Sequence, residues 1–361
     1  MARRGGRRQQ TERKARREPP DELCGDVRGD DALIAREARI ALPTTVSTAA
    51  LGRCDPQRIV AGLSGSALGT GWRVLYAVDP GAMPIRLRDR IEGRLASIVA
   101  EMSQWEPDSL LSRFNRAPAG SAFVLPPDFA AVLEASLDVA RRTDGAFDPT
   151  HGRAAALLGY GAATIAGPPR ESALHDARAS AGLDRLDYDP ARRRLIQPGG
   201  LWLDFSGIAK GFAVDAIADL LAAEGFEDGL VEIGGELAGR GLKPDGQPWW
   251  VDLEALDGAA PAPLRVGLHD IAVATSGHYV RGVHTLDPTD GRPVRHDVAA
   301  ASVIHDRAMY ADAWATALIV LGPARAPEIA EREGLAARMV VRSGQQLDEH
   351  VSPALSRLLE E

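Results

Sequence analysis

The segment Leu203-Asp-Phe-Ser-Gly-Ile-Ala-Lys-Gly-Phe-Ala-Val-Asp215 joins the end of an apolar run to a helical pattern, and we expect that helix over residues 206–224. Asp204 and Ser206 are residue types that favour a helix N-terminus. Two glycines remove side chains where the helix begins, and Lys210 adds a positive charge there. Because a helix N-terminus presents backbone N–H groups and a positive dipole, the segment predicts a site for a phosphate-containing ligand.

Two common pyrophosphate-binding motifs do not occur in this sequence. There is no G-x-x-x-x-G-K-[ST], which excludes a P-loop. There is also no G-x-G-x-x-G between a strand and a helix, which argues against a Rossmann fold. An ordinary strand-to-helix turn with an exposed lysine remains an open alternative on this segment alone.

Further motifs lie on both sides of this segment. In chain order, three features of the sequence stand out before it and four after it. They are Met102-Ser-Gln-Trp-Glu-Pro-Asp-Ser-Leu-Leu-Ser-Arg-Phe-Asn115, Thr143-Asp-Gly-Ala-Phe-Asp-Pro-Thr150 with Leu158-Gly-Tyr-Gly161, Val231-Glu-Ile-Gly-Gly-Glu236, Val273-Ala-Thr-Ser-Gly277, Leu286-Asp-Pro-Thr-Asp-Gly-Arg-Pro293 and Ala311-Asp-Ala-Trp-Ala-Thr-Ala-Leu318. Together with the opening segment, they resemble the ApbE family of FAD:protein FMN transferases. The resemblance extends from about Ser64 to the C-terminus.

The bulk properties of the chain fit a globular enzyme. It has 361 residues, of which 45% are apolar, and its formal net charge of -8 argues against nucleic acid as a partner. We expect residues 1–60, which begin with an arginine-rich stretch, to be a mostly disordered extension, and residues 61–361 to form the ApbE-like domain. No segment approaches the ~20 apolar residues of a membrane span, and no signal peptide or lipoprotein signal is recognisable, so we expect a cytoplasmic protein.

The pattern of elements predicts an α+β fold with mixed or antiparallel sheets and packed helices, as the resemblance also implies. Apolar residues every three or four positions predict core-facing helices near residues 87–102 and 127–142. Further helices are expected at 307–321 and 324–333. Strands are expected at 72–78, 229–233, 248–255, 264–268, 271–275, 298–304 and 338–342.

A carboxylate and a hydroxyl on one helical face suggest a cation site. Asp312 and Thr316 are four residues apart in a predicted helix, and both are hard oxygen donors suited to Mg²⁺. A surface aspartate and a threonine bonded to its own helix is the alternative from the residues alone. The resemblance places both in the family's metal site, which the backbone carbonyl of Gly207 completes. Some members have a carboxylate where this chain has Ala315, so a contribution there would come from the backbone.

For the flavin, the resemblance implies a set of contacts that spans most of the domain. The implied FAD-binding positions are Leu68, Trp105, Ala146, Phe147, Asp148, Asp204, Lys210 and Leu286. The chemistry is compatible, because an aromatic such as Trp105 can stack on a flat flavin ring and Lys210 can neutralise a phosphate. The family often has methionine where this chain has Leu68, and that swap conserves volume.

His284 matches the histidine of the family's Ser-His-x-x-Asp-Pro motif. An imidazole that titrates near neutral pH can take the proton of an attacking hydroxyl. A turn histidine bonded to a nearby carbonyl is the alternative reading of this residue alone. Family members usually have a longer hairpin before this histidine than the segment 277–284 of this chain, and we expect that hairpin to border the acceptor site.

The sequence therefore predicts a Mg²⁺-dependent transferase with FAD as substrate. FMN would pass to a Thr or Ser hydroxyl of an acceptor flavoprotein, with His284 as base, Lys210 offsetting phosphate charge and AMP as the other product. A hydrolase that produces FMN and AMP from FAD, and a non-catalytic flavin-binding protein, are the two alternatives.

Overall fold

The computed structural model of the protein describes residues 38–82, 84–162, 167–253, 262–278 and 283–359. The chain divides into residues 1–37 and a compact unit from Ala38 to Glu361. The compact unit therefore starts before the predicted boundary near residue 60. Residues 38–60 hold strand β1 (Arg39–Ala41), helix α1 (Thr48–Gly52) and the start of β2 (Ile59–Ala67). The rest of the predicted extension, residues 1–37, lies outside the described residues.

The compact unit is built around an eight-stranded sheet in which every neighbouring pair is antiparallel. Besides β2, its strands are β3 (Thr70–Val78), β7 (Gly229–Ile233), β8 (Glu236–Arg240), β11 (Ile271–Gly277), β14 (Val298–His305), β15 (Ala336–Ser343) and β16 (Gln346–Val351). The strand order is β16-β15-β14-β11-β8-β7-β3-β2, so β11 and β8 lie in the middle.

Three smaller sheets accompany the large one among the described residues. In the first, β10 (Leu264–Leu268) pairs in parallel with β1 and antiparallel with β9 (Trp249–Leu253). The second has β6 (Arg194–Ile196) between β4 (Ala122–Val124) and β5 (Asp187–Asp189). The third is a short hairpin of β12 (Leu286–Asp287) and β13 (Arg292–Pro293). The mixture of helices and mainly antiparallel sheets confirms the predicted α+β class.

The helices supply the second component of the fold. After α1 they are α2 (Leu87–Met102), α3 (Leu110–Arg116), α4 (Pro127–Arg142), α5 (Gly152–Leu157), α6 (Glu171–Ala179), α7 (Ala209–Ala223), α8 (Ala308–Arg332) and α9 (Pro353–Leu359), with a 3₁₀ turn at Leu183–Arg185. The core-facing helices expected near 87–102 and 127–142 are confirmed as α2 and α4. The two helices expected on either side of residues 322–323 form α8, which is interrupted by Gly322 at φ 71°.

Alternating residues of the large sheet point into two different cores. In β11, Ala272 belongs to the core that includes α2, α4, α7 and α8, whereas Val273 packs with β9, β10 and α9 on the other face. The two-residue period of a strand accounts for this division. The sheet is therefore covered on both sides, and α7 and α8 lie together on one face.

The start of α7 differs from the sequence-based expectation. The helix begins at Ala209 rather than residue 206, and its N-cap, Ile208, makes no side-chain capping bond. The Asp204 carboxylate instead accepts the backbone N–H of Ser206 at 2.8 Å, which forms a turn before the helix. Local capping preference was the wrong guide here, because Asp204 satisfies its oxygen within the preceding turn.

Asp228 explains why residues 38–60 belong to the folded unit. This buried carboxylate accepts from Arg53 at 3.0 Å and from Arg58 at 3.2 Å. A chain that starts at residue 61 loses both partners, and an uncompensated buried charge costs ~3–5 kcal/mol.

We therefore expect residues 38–361 to unfold at the denaturant concentration of the full chain and to bind FAD equally well. Residues 61–361 should be less stable by that amount, because both arginines are missing. Urea unfolding of the three proteins checks this, and equal midpoints for the two truncations would contradict it.

No helix among the described residues is long and apolar enough to cross a membrane.

Candidate functional site

Helices α7 and α8 approach each other closely at Gly211. A Cβ atom on Gly211 would overlap the backbone carbonyl of Ala308 and lie 2.8 Å from the Cβ of Asp312. Asp215, one turn further along α7, accepts the backbone N–H groups of Ala308 and Met309, each at 3.0 Å. These contacts cap α8 and hold its first turns against α7, so both helices position Asp312.

Gly211→Ala is expected to destabilise the protein by ~1–3 kcal/mol or more, because the added methyl group has no space between the helices. Gly93→Ala in α2 is the matched control: a Cβ there meets no atom within 4 Å. That variant should gain ~0.5–1 kcal/mol, as alanine is a better helix former than glycine. Urea unfolding measures both changes. A Gly211 variant as stable as the wild type would show that the helices can separate.

Several oxygen atoms converge where α8 faces the turn before α7. Asp312 is buried, and its Oδ2 accepts the backbone N–H of Gly211 at 3.0 Å. A Cβ on Gly207 would lie 2.9 Å from Oγ1 of Thr316, so the backbone of Gly207 lies beside that hydroxyl. Oγ1 of Thr316 also lies 3.1 Å from Oγ of Ser276 in β11. The arrangement brings Gly207, Asp312 and Thr316 together.

This donor set fits a hard cation better than a soft one. It offers the carboxylate of Asp312 and the hydroxyl of Thr316, beside the backbone of Gly207, and all of these supply oxygen donors. Within the described ranges, no three His, Cys, Asp or Glu side chains cluster as a metal site. A cation held here would therefore take further ligands from a phosphate or water. Ala315, a possible contributor through its backbone, is fully buried in α8 and has no donor side chain.

Lys210 lies near two buried carboxylates. Its Nζ forms an ion pair with Oε1 of Glu236, at the start of β8, and its charge also acts on the carboxylate of Asp312, in α8. Burial raises the pKa of Glu236, and the nearby charge of Asp312 raises it further, while Lys210 opposes both effects. Burial likewise raises the pKa of Asp312, against the charge of Lys210. Two buried carboxyl groups thus lie near one ammonium group, and a cation bound beside them would favour their charged forms, which burial disfavours.

The predicted phosphate site at the helix N-terminus needs one correction. The backbone N–H of Gly211 is bonded to Asp312 and does not face a ligand. The N–H of Ala209 is bonded to the carbonyl of Phe205, at 2.8 Å. Positive charge for a phosphate therefore comes from the Lys210 side chain, at the edge of the site, more than from these N–H groups.

Asp148 and Asp204 lie in adjoining segments. The backbone N–H of Asp204 donates to the carbonyl of Pro149 at 2.8 Å. Burial alone would raise the pKa of Asp148, but bonds from His151 and Thr150 outweigh it and lower that pKa. Burial raises the pKa of Asp204, against its bonds to Ser206. Ala146 and Phe147, just before Asp148, are buried and hold this loop against the core.

The turn after Leu286 repeats the geometry of the turn at Asp148. Oδ1 of Asp148 accepts the backbone N–H of Thr150 at 2.8 Å and its hydroxyl at 2.7 Å. Oδ1 of Asp287 does the same for Thr289, at 2.9 and 2.7 Å. The two Asp-Pro-Thr segments therefore form the same kind of turn, in which the aspartate carboxylate accepts from the threonine two residues later. Leu286 itself is half-buried and pairs with Pro293.

Leu68 lines a groove of about 510 Å³ between the β2–β3 hairpin and α2. It occupies the hairpin turn at φ 54° and is half-buried. Glu106 and Asp108 line the other side of the groove. Trp105, next to Glu106, is 62% exposed, so its ring is accessible to a flat ligand.

His284 lies among aromatic rings near the end of β11. Its ring centroid is 5.8 Å from that of His278 and 6.5 Å from that of Tyr160, both edge-on. The Tyr160 hydroxyl donates to the carbonyl of Val283 at 2.9 Å. Burial, then the neighbouring His284 and His296, lower the pKa of His278 to about 4, so His278 is neutral at pH 7. Most of the short segment expected to border the acceptor site, residues 279–282, lies outside the described residues.

Strand β11 and the residue after it contact both the region around Thr316 and the region around His284. Ser276 contacts Thr316, and two residues later Nε2 of His278 lies 3.2 Å from Oγ1 of Thr285. Sequence reasoning missed Ser276, although it belongs to the Thr-Ser-Gly motif. It also missed Glu236, whose only signal was its place directly after a Gly-Gly pair at the end of a predicted strand.

Known proteins resemble this chain over nearly its whole described length. The model of the ApbE family matches residues 68–339. An FAD:protein FMN transferase of Haemophilus influenzae is 32% identical over 339 residues, which cover 89% of this chain and 97% of that protein.

Two solved structures share the fold. The flavin transferase ApbE from Vibrio cholerae has a TM-score of 0.77 at 32% identity, covering 83% of this chain and 99% of that one. The flavinyl transferase ApbE of Pseudomonas stutzeri, in its apo form, has a TM-score of 0.77 at 36% identity, covering 84% of this chain and 98% of that one.

Proposed function

The chain belongs to the ApbE family, and we propose that it transfers FMN from FAD to a Thr or Ser hydroxyl of an acceptor protein, in a Mg²⁺-dependent reaction that releases AMP. Relatives that are 32% and 31% identical to it are named FAD:protein FMN transferase, so the chain is an enzyme of the transferase class. The metal, the acceptor residue and the second product are the proposed parts.

The proposed reaction is one displacement at phosphorus. The acceptor hydroxyl oxygen forms a bond to the FMN-side phosphorus of FAD. The bond from that phosphorus to the bridging oxygen breaks, and AMP leaves with that oxygen. His284 takes the hydroxyl proton, and Lys210 offsets negative charge on the phosphates. No covalent bond to the enzyme is required.

Asp312, Thr316 and the backbone of Gly207 would hold Mg²⁺. When bound, Mg²⁺ supplies positive charge that stabilises the phosphates and the leaving group. The closeness of Gly207 to Thr316 is the observation that most strongly supports this proposal. The alternative was a surface aspartate and a threonine hydrogen-bonded only to its own helix. That alternative does not require Gly207 to lie beside Thr316, and it does not fit Asp312, which is buried.

The flavin would occupy the region from the groove to the two Asp-Pro-Thr turns. Trp105 and Leu68 would contact the ring, and Asp148 would accept from a ribose hydroxyl or an adenine amino group. Ala146, Phe147 and the backbone at Leu286 would form the walls, with Asp204 at the turn before Lys210. The exposed ring of Trp105 supports this assignment.

A product analysis tests the proposal against hydrolysis. The enzyme is incubated with FAD and Mg²⁺, with and without a candidate acceptor, and AMP and free FMN are separated by chromatography. We expect AMP release to require both Mg²⁺ and the acceptor, with no matching free FMN. Equal AMP and free FMN in the absence of an acceptor would identify a hydrolase, and retention of intact FAD with every acceptor would indicate a binding protein.

A further inference from the structure

Glu236 is a buried carboxylate to which the proposed reaction assigns no role. It is 2% exposed and follows Gly234 and Gly235, whose φ values of 65° and 99° make the tight turn between β7 and β8. The turn directs Glu236 toward the start of α7, where its Oε1 pairs with Nζ of Lys210.

One half of this carboxylate is unsatisfied. Oε2 of Glu236 is buried and has no hydrogen-bond partner among the described residues. A buried charge with an unsatisfied oxygen is costly, and replacement by a neutral residue would remove that cost. The ion pair with Lys210 is therefore poorly explained as a device for stability alone.

Asp312 is the second carboxylate that attracts the same ammonium group. It interacts electrostatically with both Lys210 and Glu236. Lysine has a flexible four-carbon stem, so its ammonium group can move between two nearby acceptors. Without Glu236, Lys210 would be drawn to Asp312, where it would neutralise the carboxylate proposed to bind Mg²⁺.

We propose that Glu236 is a positioning residue that holds the ammonium group of Lys210 away from Asp312 and thereby keeps the Asp312 carboxylate available to a divalent cation. The inference rests on the proposed function, since it assumes a cation at Asp312. It also accounts for the half-satisfied carboxylate, because one oxygen is sufficient to restrain the lysine. Lys210 then stays at the edge of the site, where a phosphate can reach it.

The test measures cation binding without catalysis. Mn²⁺ replaces Mg²⁺ as a paramagnetic probe and is titrated into FAD-saturated enzyme without an acceptor, with free Mn²⁺ followed by electron paramagnetic resonance. Glu236→Gln is expected to weaken Mn²⁺ binding ~10–100-fold, the usual effect of losing a residue that orients a metal site. Glu236→Asp, which keeps the charge but shortens the side chain, should also weaken it and serves if the Gln variant does not fold.

The decisive comparison uses Lys210→Met. If Glu236 acts by restraining Lys210, Glu236→Gln has almost no effect on Mn²⁺ affinity once the lysine is gone. Equal losses with and without Lys210 would mean that Glu236 acts only through its charge, and would overturn the inference. A wild-type affinity in both Glu236 variants would do the same.

Two further results separate this inference from the proposed function. Glu232→Gln is the matched control in β7, where Glu232 pairs with Arg73 at 3.0 Å on a more exposed surface, and it should leave Mn²⁺ binding unchanged. A wild-type enzyme that binds no Mn²⁺ would overturn the metal proposal and this inference together. Normal wild-type binding with unaffected Glu236 variants would overturn this inference alone.

Discussion

Asp312→Asn is expected to lower the rate of FMN transfer ~10³-fold while the protein stays folded. The carboxylate is the one charged donor among the residues proposed to hold Mg²⁺. A bound metal supplies several kcal/mol of charge stabilisation at phosphorus, and each ~1.4 kcal/mol that is lost lowers the rate tenfold. Asparagine is preferable to alanine, because its side-chain carbonyl can still accept the backbone N–H of Gly211 that Asp312 accepts at 3.0 Å. Alanine would leave that buried N–H unpaired.

The measurement is the single-turnover transfer rate over a titration of Mg²⁺. Glu328→Gln, an exposed carboxylate on the same helix, is the control and should leave the rate unchanged. Higher Mg²⁺ should restore part of the lost rate, because FAD phosphates supply further ligands. An Asp312→Asn enzyme as active as the wild type at every Mg²⁺ concentration would remove Asp312 from the metal site.

His284→Asn is expected to lower the transfer rate ~10²–10⁴-fold, the usual contribution of a positioned base. FAD affinity should be nearly unchanged, because the residues proposed to contact FAD lie elsewhere. The wild-type rate should fall as the pH is lowered, because a protonated base can no longer accept the hydroxyl proton. The variant should lose that dependence.

Single-turnover rates for both proteins, measured as a function of pH, test these effects. The matched control is His175→Asn, because His175 is an exposed histidine on α6. Its rate and pH profile should equal those of the wild type. If the His284 variant also matches the wild type in both, His284 is a turn residue and another group accepts the proton.

The regular elements of the fold were largely predictable from local patterns. Apolar residues from Leu87 to Met102 recur at helical spacing and are buried in α2. The strand predicted at 264–268 has the same bounds in the structure. Gly322 and Pro323 marked the interruption of α8, since neither favours the helix interior. In each case a few neighbouring residues determine the local structure.

The elements that depend on distant residues were not predictable in the same way. The folded structure of residues 38–60 depends on the ion pairs of Arg53 and Arg58 with Asp228, which is about 170 residues away in sequence. The start of α7 depends on the turn that Asp204 forms with Ser206. Capping preference shows which residue types can bond to a helix N-terminus. It does not show which backbone N–H group a given side chain accepts from in the folded protein.

The candidate site shows the same distinction. The order of the motifs led to Gly207, Asp312 and Thr316, which the structure brings together. Glu236 was missed, because its importance comes from a contact with Lys210 on another element, and the sequence alone does not indicate that contact. The roles of His284, Trp105 and the other flavin positions stay predictions.

Covalent transfer of FMN to an acceptor protein is the central claim, and a mass measurement tests it most directly. The enzyme, FAD, Mg²⁺ and a candidate acceptor are incubated together, and the acceptor is analysed by in-gel flavin fluorescence and intact mass. We predict a fluorescent acceptor that gains one FMN phosphoester, with one AMP released for each flavin attached. The gain should disappear when the modified Thr or Ser is replaced by alanine. An acceptor of unchanged mass, together with AMP and free FMN in equal amounts, would contradict the account.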